Sequence, residues 1–115
     1  MRNDKSNLIV EKSFQFAIDI VEFCDLLYEN KKFVIGQQLL KSGTSIGANI
    51  REAQNAESKA DFIHKMKISA KEADETEYWL LICKHSSTYP SNQNLIEKVI
   101  EIQKILSKII SSSKS

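Results

Sequence analysis

Three side chains in the segment DFIHKMKISAKEADETEYWL, His64, Lys67 and Lys71, fall three and then four residues apart. On a helix that spacing sets them in one row. A row of cations can bind phosphate: each lysine neutralises one phosphate and releases its counterions, which gives a salt-dependent affinity that reads no bases. A solvated charged face leaves the same signature. Lys41 and Arg51, further upstream, are the other cations that could help. A second constellation lies in LLKSGTSIGANIREAQNAES, where Gln38, Ser42, Ser45, Asn49 and Glu52 repeat at heptad steps beside Gly43 and Gly47. Two interior glycines cost a helix roughly 1 kcal/mol each relative to alanine. Close approach of a neighbouring helix, with hydroxyl and amide groups satisfied across the contact, would offset that. The other reading is a polar groove that holds a ligand or lines a symmetric channel.

Readings as an enzyme find little support. A di-metal bundle needs Glu-x-x-His on two helices together with further carboxylates, whereas the chain offers only Asp61-Phe62-Ile63-His64, and Ile82 stands three residues before His85. Cys24 and Cys83 have apolar neighbours and no histidine placed to make a thiolate, so core packing is their expected role. There is no phosphate-cradling glycine loop, nucleophile elbow or zinc motif. No catalytic residue, metal or cofactor is expected.

The elements that must position these groups are legible from periodicity. Val10, Phe14, Ala17, Val21, Cys24 and Tyr28 recur at steps of four and three and predict a first helix over about 7–29, with that line inward. Leu39, Gly43, Ile46, Ile50 and Ala53 predict a second over 34–56. Ser58 and Asp61 form an S-x-x-D capping signal, which opens a third over 59–87 with Phe62, Met66, Ser69, Ala73, Thr76, Leu80 and Cys83 facing the core. Pro90 stops it. Leu95, Val99, Ile102, Leu106 and Ile109 carry a fourth over 92–111. Four long helices with short connections pack most simply as an all-α, antiparallel up-down-up-down four-helix bundle, one domain over 1–115.

Composition agrees. The chain has 115 residues, 42% of them hydrophobic, with three glycines and one proline, which disfavours disorder and turn-rich β structure. The formal charge of +1 means that no global field draws the chain to nucleic acid, so anion binding has to come from local clusters or from symmetry that repeats them. Two widely separated cysteines, and the absence of a bilayer-length apolar stretch, imply a cytoplasmic protein.

Two expectations follow about contacts. Hairpin arithmetic places Ser45 level with Ser69, Ser42 with Glu72, Glu75 with Gln103 and Asp74 near Lys104, so Ser42, Ser45, Asn49, Ser69, Glu72 and Glu75 should join polar contacts between helices. The aromatic surplus beside the core lines, with Phe16 and Phe23 on the first helix and Tyr78 and Trp79 on the third, points either to a generous bundle core or to a surface for self-association.

The run QLLKSGTSIGANIREAQNAESKADFIHKMKISAKEADETEYWL closely resembles the signature of the bacterial four-helix-bundle proteins called the 23S rRNA intervening-sequence family, also S23 ribosomal protein. Accessory variability proteins of diversity-generating retroelements are related to that family. The resemblance rests on SGTSIGAN-x-x-EA, ESK-x-DF and E-x-YWL and covers most of the chain; the last helix matches only in pattern. It implies a ring-like homopentamer and binding to RNA or DNA, and suggests a reverse transcriptase or another protein as a partner. It supplies no enzymatic activity. The net charge here is lower than that of strongly basic relatives.

Overall fold

The computed structural model describes residues 4–114, with side chains from residue 8 onward. Four helices follow in order, α1 (Asp4–Glu29), α2 (Phe33–Ala53), α3 (Lys59–His85) and α4 (Gln93–Ser113). Local signals account for their ends. The chain leaves α1 through Lys31, at φ 62° in the left-handed region. There the amides of Lys31 and Lys32 donate back to the carbonyls of Tyr28 and Leu27, at 2.9 and 2.8 Å, and complete a Schellman turn. The Ser58 hydroxyl caps α3 by accepting from the Asp61 amide at 3.0 Å, and Asn92 caps α4 through the Leu95 amide at 3.0 Å. The first loop is clasped to the third, because the Lys32 ammonium lies 4.7 Å from the centre of the Tyr89 ring.

Each helix touches its two sequence neighbours, and α4 closes on α1, so the cross-section is a square; the bundle extends 46 × 19 × 19 Å. Leu39, Ile46 and Ile50 of α2, Met66, Ala73 and Leu80 of α3, and Val99, Ile102 and Leu106 of α4 fill its axis. The inward lines expected for α2 and α4 are buried throughout, and that of α3 is buried apart from half-exposed Phe62. α2 stops at Ala53, three residues short of the expected end, and leaves a looser turn before Ser58.

α1 differs from expectation. Its buried line is Ile9, Ser13, Phe16, Ile20, Phe23, Cys24 and Leu27, while Phe14, Val21 and Tyr28 are exposed and Val10 and Ala17 half-exposed. Phe16 and Phe23, at 1% and 5% exposure, are therefore core residues and do not form a surface for self-association. The physical reason is that α1 carries two apolar rows at heptad spacing about a quarter-turn apart, and periodicity alone does not choose between them.

The choice is made by α2. A Cβ added at Gly43 would stand 2.8 Å from Ile20 Cγ2, and one at Gly47 would stand 3.2 Å from the Ser13 carbonyl oxygen. The glycines thus admit α1, which turns Ser13 and Ile20 inward against them. Gly43→Ala gains about 1 kcal/mol of helix propensity but forces a methyl into a fully buried β-branched side chain. It should lower stability by a net of up to about 2 kcal/mol, the usual cost of overpacking less that gain. At Gly36 the added atom meets the Tyr28 ring edge, which can swing toward solvent, so Gly36→Ala should be near neutral. Urea midpoints of the two variants check this contrast.

Candidate nucleic-acid interface

His64, Lys67 and Lys71 are all exposed along the outer edge of α3. Lys67 and Lys71 lie about 6 Å apart along the helix axis, and among the described residues neither joins an ion pair. The other two cations lie elsewhere. Lys41, on α2, stands across from Glu72 of α3. Arg51 lies round the corner, at one end of a shallow groove of about 260 Å³ between α1 and α2 that Val10, Phe14, Ala17 and Gly47 also line. The five candidates are therefore one row of three and two outliers, and they do not make one patch.

Glu72 sits between cations yet is not relaxed. Its carboxyl is raised above the ordinary value of 4.5, first by partial burial and then by Glu75; Lys41 and Lys71 act in the opposite direction. Glu75 itself is exposed and accepts from the Trp79 indole at 3.1 Å.

Of the six residues expected to bond between helices only Ser42 and Ser69 do so; Ser45, Asn49 and Glu75 bond within their own helices, and the Glu72 carboxylate joins no hydrogen bond or ion pair among the described residues. Ser42 faces Thr76, whose hydroxyl is shared between Ser42 Oγ at 3.0 Å and the Glu72 carbonyl at 2.7 Å. Ser69 donates to the Ile46 carbonyl at 2.9 Å. Ser45 donates to Lys41 O and Asn49 to Ser45 O, both within α2. Ser69 thus meets the residue next to the expected Ser45, and Thr76, one turn after Glu72, takes the place opposite Ser42. Across α3 and α4, Gln103 donates to Asp74 at 3.2 Å and to Glu77 at 2.9 Å, in place of Glu75. Among the described residues every buried side-chain polar atom has a partner, so the polar stripe of α2 is structural on this side.

Two apolar features remain outside the core. Tyr78 is 59% exposed and meets Trp79 edge to face at 5.3 Å. The larger feature is one that periodicity had assigned to the interior: Val10, Phe14, Ala17 and Val21 of α1, flanked by Phe33 and Leu40 of α2. The signal for it was present in the sequence as the second apolar row of α1.

Among the described residues no group of three or more His, Cys, Asp or Glu side chains is placed to hold a metal, and no helix is long and apolar enough to cross a membrane. The family model described as 23S rRNA-intervening sequence protein matches residues 5–108. The chain belongs to that family. The 23S rRNA-intervening sequence protein fold seen here is similar to a crystal structure, at 1.70 Å resolution, of a protein of unknown function from the S23 ribosomal protein family of Bacteroides thetaiotaomicron. The two are 45% identical with a TM-score of 0.87, over 93% of this chain and 98% of the other. A search of the curated proteins finds no match.

Two outcomes test the chemistry assigned to these side chains. Burial pushes the Cys24 thiol up to about 12 and raises that of Cys83. Neither thiol should react with a disulfide reagent at pH 8 in the folded protein, and both should react once it is unfolded. Glu72→Gln removes a carboxylate that folding disfavours. Because the folded pKa is raised, the cost is present where Glu72 is ionised in both states, fades as pH falls through the raised folded value, and is gone below about 4.5. The variant should gain up to about 0.5 kcal/mol at neutral pH, and the gain should vanish in acid; thermal melts at pH 7 and pH 4 measure it.

Proposed function

We propose that this chain is a non-enzymatic, homo-oligomeric helical bundle that binds the sugar–phosphate backbone of RNA or DNA through basic rows repeated by symmetry. The observation that carries the reading is the row of Lys67 and Lys71 on the outer edge of α3, with His64 beside it, exposed and outside any ion pair among the described residues. Lys12, Lys65 and Lys98, by contrast, each meet a carboxylate across a helix contact at 2.8–3.1 Å. Membership of a family named for an intervening sequence in 23S rRNA supports the same direction.

With a net charge of +1, one copy binds weakly. Several copies on one particle raise the affinity through effective concentration, without any new contact. Lys41 and Arg51 are secondary contributors, because they lie off the row. Binding of this kind is set by phosphate spacing and shape, not by base edges. The reading places the protein in the cytoplasm.

The Tyr78–Trp79 pair favours a second reading, an adaptor that binds another protein, such as a reverse transcriptase, and no nucleic acid. A partner retained after nuclease treatment and lost with Tyr78→Ala would favour the adaptor. The deciding measurement for the first reading is binding to a structured RNA across a salt series. Affinity should fall as salt rises, and a variant with Lys67→Ala and Lys71→Ala should weaken binding to every sequence and flatten the slope by about 1–2 for each subunit engaged. Absence of binding even at low salt rejects nucleic-acid recognition.

A further inference from the structure

The formal charge of +1 conceals a segregation along α3 and α4. Residues 62–71 of α3 hold His64, Lys65, Lys67 and Lys71 and no acid, and residues 102–114 of α4 and its cap hold Lys104, Lys108 and Lys114 and no acid. The sign reverses further along: Glu72, Asp74, Glu75 and Glu77 follow on α3, and Glu97 and Glu101 precede on α4. Because α3 and α4 pack side by side and antiparallel, their acid-free stretches lie at the same end of the bundle. Among the described residues only Lys65 of these cations joins an ion pair, with Glu52 at 3.1 Å.

A groove of about 410 Å³ runs between the two stretches, and its lining includes Ala70 and Asp74 of α3 with Ser107, Ser111 and Lys114. Gln103 sets the level of one helix against the other. Its amide reaches the Ala73 carbonyl and the Asp74 and Glu77 carboxylates at 2.9–3.5 Å. Counted from there down two antiparallel helices, Lys71 stands beside Ser107, Lys67 beside Ser111 and His64 beside Lys114. Lys67 is one heptad before Asp74 and Lys104 one heptad before Ser111, so these two overhang the groove from opposite banks. Ser107 and Ser111 are exposed between the banks, where a hydroxyl can donate to an anion. Asp74 and Glu77, held by Gln103, close the groove to anions at its other end.

We propose that this groove holds one unpaired strand of RNA or DNA by its phosphates, with Lys67 and Lys71 gripping from α3, Lys104 and Lys114 from α4, and Ser107 and Ser111 donating from the floor. The inference rests on the nucleic-acid part of the proposed function and deepens it, because it adds to the α3 row a second bank on α4. Width selects the form of the ligand. Neighbouring helix axes in a bundle stand about 8–10 Å apart, so a single strand can sink between the banks and meet both. A strand paired in a duplex is backed by its complement and meets one bank at a time. Length limits the site: from Lys71 to His64 is about 10 Å along the axis, a track for only a few phosphates. The lining contains no aromatic ring on which a base could stack, so the groove grips the backbone and reads no sequence.

The deciding variant carries Lys104→Ala with Lys114→Ala. Both positions are exposed and outside any ion pair among the described residues, so helicity by circular dichroism should be unchanged. Lys108→Ala is the control for charge alone: Lys108 stands one heptad after Glu101, which bridges to Lys12 of α1, and so lies on the same helix but away from the groove. Binding is read by fluorescence anisotropy of a labelled, unstructured strand of about 12 nucleotides across a salt series, and of the same strand annealed to its complement. The unaltered chain should bind the single strand more tightly than the duplex. The double variant should flatten the salt slope by about 1.4 for each groove occupied, about 0.7 per lysine, and lose about 25-fold in affinity at about 0.1 M salt. Lys108→Ala should leave both close to those of the unaltered chain. A double variant that binds like the unaltered chain, while Lys67→Ala with Lys71→Ala binds weakly, overturns the groove and leaves the α3 row standing. A loss with Lys108→Ala as large as half that of the double variant, or a duplex bound as tightly as the strand, overturns it as well. Failure of the unaltered chain to bind either form even at low salt removes the nucleic-acid reading and the groove with it.

Discussion

The approach of α1 to α2 across Gly43 and Gly47 is the contact on which the rest of the molecule turns. With no Cβ at those positions, Ile20 and the Ser13 backbone come within reach of the α2 main chain, and this fixes how α1 is rotated about its own axis. That rotation decides which of its two apolar rows is buried. Phe16, Ile20 and Leu27 enter the core, and Phe14 and Val21 are left in solvent. The identity of the exposed face is therefore a consequence of two missing methyl groups on the facing helix.

The interior of the bundle is a conventional apolar core with a narrow polar seam. Ser42, Ser69 and Thr76 are fully buried, and each hydroxyl is used, either against its opposite number or against a carbonyl of the facing helix. Such a seam contributes little net stability, since each bond replaces one to water. Its effect is on specificity: a slip of α3 along α2 would break the Ser69–Ile46 and Thr76–Ser42 hydrogen bonds and strand the buried Ser69 hydroxyl, at a cost of about 1–3 kcal/mol, while Ser42 and Thr76 keep carbonyl partners in their own helices. Apolar rows alone tolerate such slips far better.

Much of this was legible beforehand. Helix existence, the all-α class, the inward lines of α2, α3 and α4 and the Ser58 cap all follow from spacing and capping chemistry, because in those segments one row is apolar and the opposite one is not. α1 was not legible in the same way. Its rows are equally apolar, and the deciding contact involves residues on another helix. The register between α2 and α3 was legible only to within a turn: Ser69 bonds Ile46 beside the expected Ser45, but Ser42 meets Thr76, one turn from Glu72. Family resemblance pointed to the right fold, yet the separation of Arg51 and Lys41 from the Lys67–Lys71 row emerges only when helices are placed side by side.

The chain has a single tryptophan, and its setting makes α3 optically distinct. The Trp79 indole sits half-exposed at the boundary of core and surface, tied to the Glu75 carboxylate and flanked by the Tyr78 ring. Its emission therefore senses three things at once: the polarity outside the helix, the charge on one neighbouring carboxylate and the position of one neighbouring ring. A molecule that covers that stretch of α3 removes water from the indole and shifts the spectrum toward the blue, while events on the far side of the bundle leave it unchanged. The protein thus carries an intrinsic, label-free reporter for the flank of α3.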